Sequence, residues 1–318
     1  MKDKNAKIFV AGHNGLVGSA IIRILKKKGF KKIITASKKK LDLRDQKKVF
    51  LFLKKVKPKF IINAAASVGG IAANNKFRAD FIYNNVSIQT NLIHSAFKNK
   101  IKNLIFLGSS CVYPRNCRQP IKEKYLLTGT LEKTNEPYAI AKIAGIKMCE
   151  SYNRQYRHLD FRSIMPSNLY GPGDNYHPIN SHVIPGLIYR FYEAKKNNLA
   201  SVTIWGSGKP KREFLYVDDM ARAAIYIMNL DKKIYNEKIS SRCSHINVGS
   251  GTDLTIKELA ETIKDIIGFT GDLIFDTSKH DGTSRKLLDS QVINNLGFKP
   301  QVSLRDGLLK TYEEYIKD

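Results

Sequence analysis

The chain has 318 residues, 42% of them hydrophobic and 26% charged, and its 54 Lys and Arg against 28 Asp and Glu give a net charge of +26 at pH 7. That length accommodates one large α/β unit or two domains, and no apolar run approaches the roughly 20 residues needed to span a bilayer. The charge raises the question of a nucleic-acid partner, but the lysines are scattered in runs no longer than Lys26–Lys28 and Lys38–Lys40, and no zinc-finger, RRM or basic-zipper pattern occurs, so the excess reads as solvated faces and as a field that draws in small anions.

Taken in chain order, the first element is an apolar strand over Lys7–Ala11. No hydrophobic leader segment precedes it, and a cytoplasmic location is expected. A helix follows over Gly15–Lys28, with Val17, Ile21, Ile24 and Leu25 turned inward. Further strands are predicted at Ile33–Ala36, Phe60–Ala65, Leu104–Gly108 and Arg162–Met165, with helices over 45–55, 82–98 and 137–156 between them. Short apolar strands alternating with helices predict a Rossmann-type, doubly wound parallel sheet covered on both faces. The pattern changes near residue 170. Residues 171–181 read as a loop rich in Gly, Pro, Asn and His, then helices over 183–198 and 256–267 and short strands at Val202–Trp205 and Leu273–Phe275. The expected organisation is a cofactor domain over 1–170 with a return segment near 214–248, and a smaller, discontinuous α/β substrate domain over the rest of 171–318. Cys111, Cys117, Cys149 and Cys243 have neither metal-ligand nor disulfide-scaffold spacing; they read as reduced thiols, and no metal is expected.

Gly12-His13-Asn14-Gly15-Leu16-Val17-Gly18 joins the first strand to the first helix. Glycines there permit a tight turn and close approach of backbone to a pyrophosphate, while the helix N-terminus offers amide donors. The end of the second strand decides the form of the dinucleotide. Ser37, Lys38, Lys39 and Lys40 stand there with no acid before Asp42. An acid would bind a ribose 2′-hydroxyl, whereas hydroxyl and lysines favour the 2′-phosphate of NADP(H).

Ser109 follows the strand ending at Leu107-Gly108, where ligands bind in open parallel sheets. Tyr138 and Lys142 are four residues apart on the helix that begins after Asn135-Glu-Pro137, with Asn135 the expected N-cap. An ammonium one turn from a phenol whose ordinary pKa is about 10 is expected to lower that value, so that the phenol exchanges protons near neutrality.

These blocks together resemble the extended short-chain dehydrogenase/reductase family, and within it the GDP-L-fucose synthase family. The resemblance runs nearly end to end, through 11–20, 68–74, 79–83, 107–114, 135–145, 168–172, 180–185, 205–208, 212–220 and 281–289. It implies an NADPH-dependent 3,5-epimerase/4-reductase that converts GDP-4-keto-6-deoxy-D-mannose to GDP-L-fucose. The alternatives are a C4 reductase or epimerase/reductase of another 4-keto nucleotide sugar and, of a different class, a non-enzymatic basic binding module. The resemblance implies that Cys111 is the base and His182 the acid of epimerisation. It implies that Tyr138 protonates the oxygen at C4, Ser109 stabilises it, and Lys142 tunes Tyr138 and holds the nicotinamide ribose. Leu43, Leu107, Gly108, Pro166, Asn168, Leu169 and His182 join the cofactor set, and Arg190, Trp205, Arg212 and Lys286 become contacts for the GDP-sugar. The family often carries Arg where this loop has Asn14, and Lys38 is the basic position that compensates. A homodimer through helices near 83–98 and 138–152 is also implied.

Overall fold

The computed structural model describes residues 3–178, 180–279 and 281–317. The loop read over 171–181 includes residue 179, which lies outside them.

The chain begins with strand β1 (Ile8–Ala11), helix α1 (Leu16–Lys27), the two-residue strand β2 (Ile33–Ile34), α2 (Gln46–Val56) and β3 (Phe60–Asn63). There follow α3 (Ile71–Lys76), α4 (Arg78–Lys98), β4 (Asn103–Leu107), α5 (Glu136–Gln155), β5 (Asp160–Pro166) and β6 (Asn168–Tyr170). The second half holds α6 (Val183–Lys196), β7 (Ser201–Trp205), β8 (Lys211–Tyr216), α7 (Val217–Asn229), α8 (Lys232–Lys238) and β9 (His245–Val248). It ends with β10 (Asp253–Thr255), α9 (Ile256–Ile267), β11 (Asp272–Asp276), β12 (Arg285–Lys286), α10 (Gln291–Asn295) and α11 (Leu304–Tyr315).

Six strands form an all-parallel sheet in the order β2-β1-β3-β4-β5-β9. Alternate residues of each strand point to opposite faces, and both faces are apolar. Ile8, Val10, Ile62 and Ile105 pack under Ile21 and Leu25 of α1 and Met220 and Ala224 of α7. Phe9, Ile61, Leu104 and Phe106 pack under Leu53 of α2, Ile93 of α4 and Ile146 of α5. The architecture is Rossmann-like. Strand order reverses between β1 and β3, and the crevice beyond their carboxyl ends is where such a sheet takes a ligand.

A separate core gathers Ile188 and Phe191 of α6, Ile204 of β7, Phe214 and Tyr216 of β8, and Leu259 and Ile263 of α9. Here β8 pairs with β6, β10 and β12, and β7 with β11. The strand predicted over Ile33–Ala36 is only Ile33–Ile34, because β2 is an edge strand with β1 as its single neighbour and the chain turns away at Thr35. Strands β6, β8, β9, β10 and β12 and helices α3, α7, α8, α10 and α11 were not read individually from the sequence; all but α7 and α11 are short.

Candidate active site

Gly12 closes β1 with φ +81°, a left-handed conformation suited to glycine. A methyl group there would stand 2.6 Å from the backbone nitrogen of Ala65, so its absence brings the ends of β1 and β3 together. At Gly18 a methyl group would stand 2.0 Å from the Gly12 carbonyl oxygen, so this second glycine seats α1 against the turn. Gly15 differs. Its added carbon would meet nothing nearer than 3.6 Å, and the residue is exposed at the N-cap of α1. No side chain caps α1 and no acid stands in its first turn, so its leading amides remain available to an anion. His13 is half-buried and Asn14 exposed beside them, while Leu16 and Val17 anchor the helix in the core. Val17 is partly buried and packs against the core, turned inward as its spacing predicted. This arrangement fits a dinucleotide diphosphate.

Beyond β2, Lys38 and Lys39 are exposed, and Asp42 is paired with Arg44. The Leu43 carbonyl accepts from Asn91 Nδ2 at 3.0 Å, which ties this segment to α4.

The carboxyl end of β4 carries the next group. A methyl at Gly108 would stand 2.2 Å from the Met165 sulfur, so glycine lets the chain turn tightly past β5. Ser109 then caps a short 3-10 turn, its Oγ accepting from the Cys111 amide at 3.3 Å. Tyr138 lies near both, its pKa, already raised by burial, being raised by Cys111 and lowered by the Ser109 hydroxyl. Ser109, Cys111 and Tyr138 therefore meet at one point. Tyr138 retains some solvent contact although protein surrounds it on most sides, the signature of a cleft wall.

One expectation about this helix fails. Lys142 does not lower the pKa of Tyr138: burial raises it, Cys111 raises it further, and only the Ser109 hydrogen bond opposes them. The reason is geometric. Lys142 Nζ donates to the Leu107 carbonyl at 2.8 Å and lies 5.8 Å from the phenol ring centroid. Burial brings the Lys142 ammonium itself down to about 8. Nor does Asn135 act as a side-chain cap of α5. It occupies that position, but its Nδ2 points to Cys111 Sγ at 3.4 Å, and its Oδ1 is buried without a hydrogen-bond partner. Sequence reasoning missed this second role, since an Asn before Glu-Pro reads as a cap.

Facing this group, β8 carries Arg212, whose charge senses Asp281, Cys111 and Glu132. Parallel pairing sets Lys286 of β12 beside Arg212. Asn168 Nδ2 donates to the Glu213 carbonyl at 2.8 Å, and Leu169 follows it on β6, with Pro166 at the end of β5. Glu213 was not anticipated. Its buried carboxylate accepts from the amides of Gly251 at 2.7 Å and Leu288 at 3.0 Å, fastening β8 to the chain after β9 and to the end of β12. Burial raises its pKa to about 7. Arg190 and Trp205 form another pair, with the guanidinium 5.5 Å from the indole centroid and half of the indole exposed. Arg190 also donates to the carbonyls of Gly186 at 3.0 Å and Thr203 at 2.9 Å. His182 opens α6 without capping it; it is exposed at the surface, although the protein packed around its ring lowers its pKa. Its loop docks on the turn before α3, where the Gly70 amide donates to Asn180 at 3.4 Å. No described contact links His182 to Cys111. Among the described residues no group of three His, Cys, Asp or Glu could hold a metal ion.

The model of the NAD dependent epimerase/dehydratase family matches residues 8–249, from β1 past β9 and through both walls of this cleft. The chain belongs to that family. A family relative from Arabidopsis thaliana, described as putative GDP-L-fucose synthase 2, is 54% identical over 318 residues, covering 100% of this chain and 94% of its own. GDP-L-fucose synthase of Escherichia coli K12 is 52% identical over 312 residues, covering 98% of this chain and 97% of its own. Among solved structures, MlghC, a GDP-mannoheptose C4 reductase from Campylobacter jejuni with NADP bound, superposes with a TM-score of 0.90 at 40% identity and covers 99% of this chain and 100% of its own.

Proposed function

We propose that this chain is an NADP(H)-dependent epimerase and reductase that converts GDP-4-keto-6-deoxy-D-mannose to GDP-L-fucose. The observation that carries the reading is the meeting at Cys111 of Ser109 Oγ, which accepts from its amide at 3.3 Å, and Asn135 Nδ2, which lies 3.4 Å from its sulfur at the start of the helix that bears Tyr138 and Lys142. Full-length identity of 52–54% to proteins named GDP-L-fucose synthase supports the substrate. The NADP-bound reductase of the same fold supports the cofactor.

Bound NADPH supplies the hydride for C4. Tyr138, kept protonated by its burial, donates its proton to the oxygen formed there, and the Ser109 hydroxyl stabilises the same oxygen. Lys142 orients the site from the Leu107 carbonyl. Before reduction, Cys111 removes a proton beside the ketone and His182 returns one on the opposite face; Asn135 holds the sulfur. The lowered pKa of His182 favours its neutral form, so the ring gives up a proton readily once it carries one. Trp205 offers a stacking face, and Arg190, Arg212 and Lys286 supply positive charge for the GDP half. The diphosphate of the cofactor falls to Gly12, His13, Asn14, Gly15, Leu16, Val17 and Gly18, and its adenosine end to Lys38, Lys39, Asp42 and Leu43. Residues 1–170 with 214–248 form the cofactor domain and the remainder the substrate domain in this reading. A cytoplasmic homodimer completes it.

The test is product analysis by NMR after mixing protein, NADPH and GDP-4-keto-6-deoxy-D-mannose. GDP-fucose with equimolar NADPH loss is expected, with solvent deuterium at C3 and C5, and Cys111→Ser is expected to abolish that exchange. No NADPH loss defeats the reading. The likeness to a GDP-mannoheptose C4 reductase favours one rival, reduction of a different 4-keto GDP-sugar. Turnover of a GDP-ketoheptose alone would select it.

A further inference from the structure

The grip of Glu213 on two distant amides bears on the cations assigned to the GDP half. Glu213 follows Arg212 in β8 and is fully buried. Its Oε1 accepts from the Gly251 amide at 2.7 Å and its Oε2 from the Leu288 amide at 3.0 Å. Leu288 comes two residues after Lys286, and Lys286 is paired with Arg212 across the β8–β12 ladder. The strand that presents Lys286 has only two residues, so its ladder alone fixes its register weakly. Other ties hold it from its far side. The Asp253 carboxylate takes Arg285 at 2.6 Å, and Gln119 Oε1 takes the Leu287 amide at 2.9 Å. Glu213 is the side-chain tie that runs from β8 itself, the strand that carries Arg212. Its place is also built: a methyl group at Gly249 would stand 2.2 Å from Glu213 Oε1, so glycine hollows the turn after β9 to receive the carboxylate.

A carboxylate next in sequence to a cation that meets a diphosphate works against the ligand by charge alone. Its presence calls for a mechanical reason. We propose that Glu213 is a positioning residue for the substrate diphosphate: by holding the Leu288 amide it keeps Lys286 level with Arg212, so that both cations meet one diphosphate together. The inference rests on the GDP-sugar reading above.

Calorimetric titration of GDP into the full chain, saturated with NADP+ so that GDP does not enter the cofactor site, tests it without any turnover. Glu213→Gln keeps the shape of the side chain, leaves one oxygen to accept, and turns an NH2 group toward the other amide. Charge alone predicts tighter GDP from this variant, because a negative charge is gone. Positioning predicts GDP weakened about tenfold, with NADPH affinity within about twofold of the wild type. Lys286→Ala is expected to weaken GDP about tenfold in the wild type but less than about threefold in the Glu213→Gln background, where Lys286 is already displaced. Melting temperatures establish that the variants are folded. Should Glu213→Gln not fold, Gly249→Ala, whose methyl group displaces the carboxylate and leaves its charge, carries the same expectations. GDP binding that is unchanged or tighter, equal weakening of NADPH, or fully additive losses in the double variant overturns the inference alone. A wild type that does not bind GDP, or binds it equally well after Lys286→Ala, overturns the reading of that site, and the inference falls with it.

Discussion

Tyr138 and Lys142 are both driven toward their neutral forms by burial, and each neutral form has a consequence. A protonated phenol is what the reduction of a carbonyl needs, so Tyr138 is poised as an acid. Tyr138→Phe is therefore expected to slow NADPH oxidation about 10²- to 10⁴-fold in single-turnover absorbance, while deuterium exchange at C3 and C5 survives. Loss of both signals together would place Tyr138 in the epimerisation as well. Lys142 bears on stability. Its folded pKa of about 8 lies below the ordinary 10.5, so between those values the unfolded chain holds more protons and stability rises with pH. Below about 8 both states are protonated and the full cost of a buried ammonium applies, an upper bound of about 3 kcal/mol. Lys142→Met is expected to raise the melting temperature at pH 7, offset in part by the lost bond to Leu107, and the gain should shrink toward pH 10. A constant difference across that range would remove the buried charge as its cause. Spacing in the sequence revealed that these two residues share a helix face. It did not reveal that the ammonium turns to a carbonyl of β4 instead of the phenol, because that depends on a contact 35 residues away.

Glycines of the first turn divide into those that make the fold and one, Gly15, that leaves open space at the N-terminus of α1. Gly18→Ala drives a methyl group into the Gly12 carbonyl, at a distance no backbone tolerates, so α1 must shift off β1. Such overpacking costs about 1–3 kcal/mol or more, and both the melting temperature and NADPH affinity should fall. Gly15→Ala meets only ordinary contact distances and keeps a permitted backbone, with φ −84°. It should leave the melting temperature within about 1 °C while still weakening NADPH, since the methyl stands where the diphosphate approaches. If Gly15→Ala binds NADPH as the wild type does, the diphosphate lies elsewhere. The element pattern around this turn was legible because β1, β3 and β4 are buried on both faces and read as apolar runs broken only at their ends, while β5, interrupted by Arg162 and Ser163, was read only from Arg162 onward. The segments around β8, β10 and β12 were not, since their register is held by Glu213 accepting distant amides, which leaves no local periodicity.

At the scale of the whole molecule the charge of +26 has a partial structural account. Lys26 and Lys27 end α1, Lys54 and Lys55 end α2, Lys98 ends α4, and Lys195 and Lys196 end α6, where cations offset the negative end of the helix dipole. By contrast, the outer faces of α4 and α5 expose large apolar groups. Tyr83 is 65% and Ile140 44% exposed, on two helices that pack side by side. Partly buried Phe97, Tyr152 and Tyr156 cluster farther along the same pair, with Phe97 and Tyr156 stacked at 4.4 Å between centroids. A second copy laying its own two helices across this face would remove that surface from water and make a four-helix contact, and two-fold symmetry would set each exposed group against the partner's same face. In a chain that repels its own copies so strongly, association requires such a patch and should strengthen with salt, which screens the repulsion. Sedimentation at neutral pH is therefore expected to give twice the 36.0 kDa chain mass, more completely at high salt. Tyr83→Glu combined with Ile140→Glu is expected to give the single-chain mass with an unchanged circular dichroism spectrum, because both side chains are outside the core. A dimer that survives both substitutions would mean that the copies meet elsewhere.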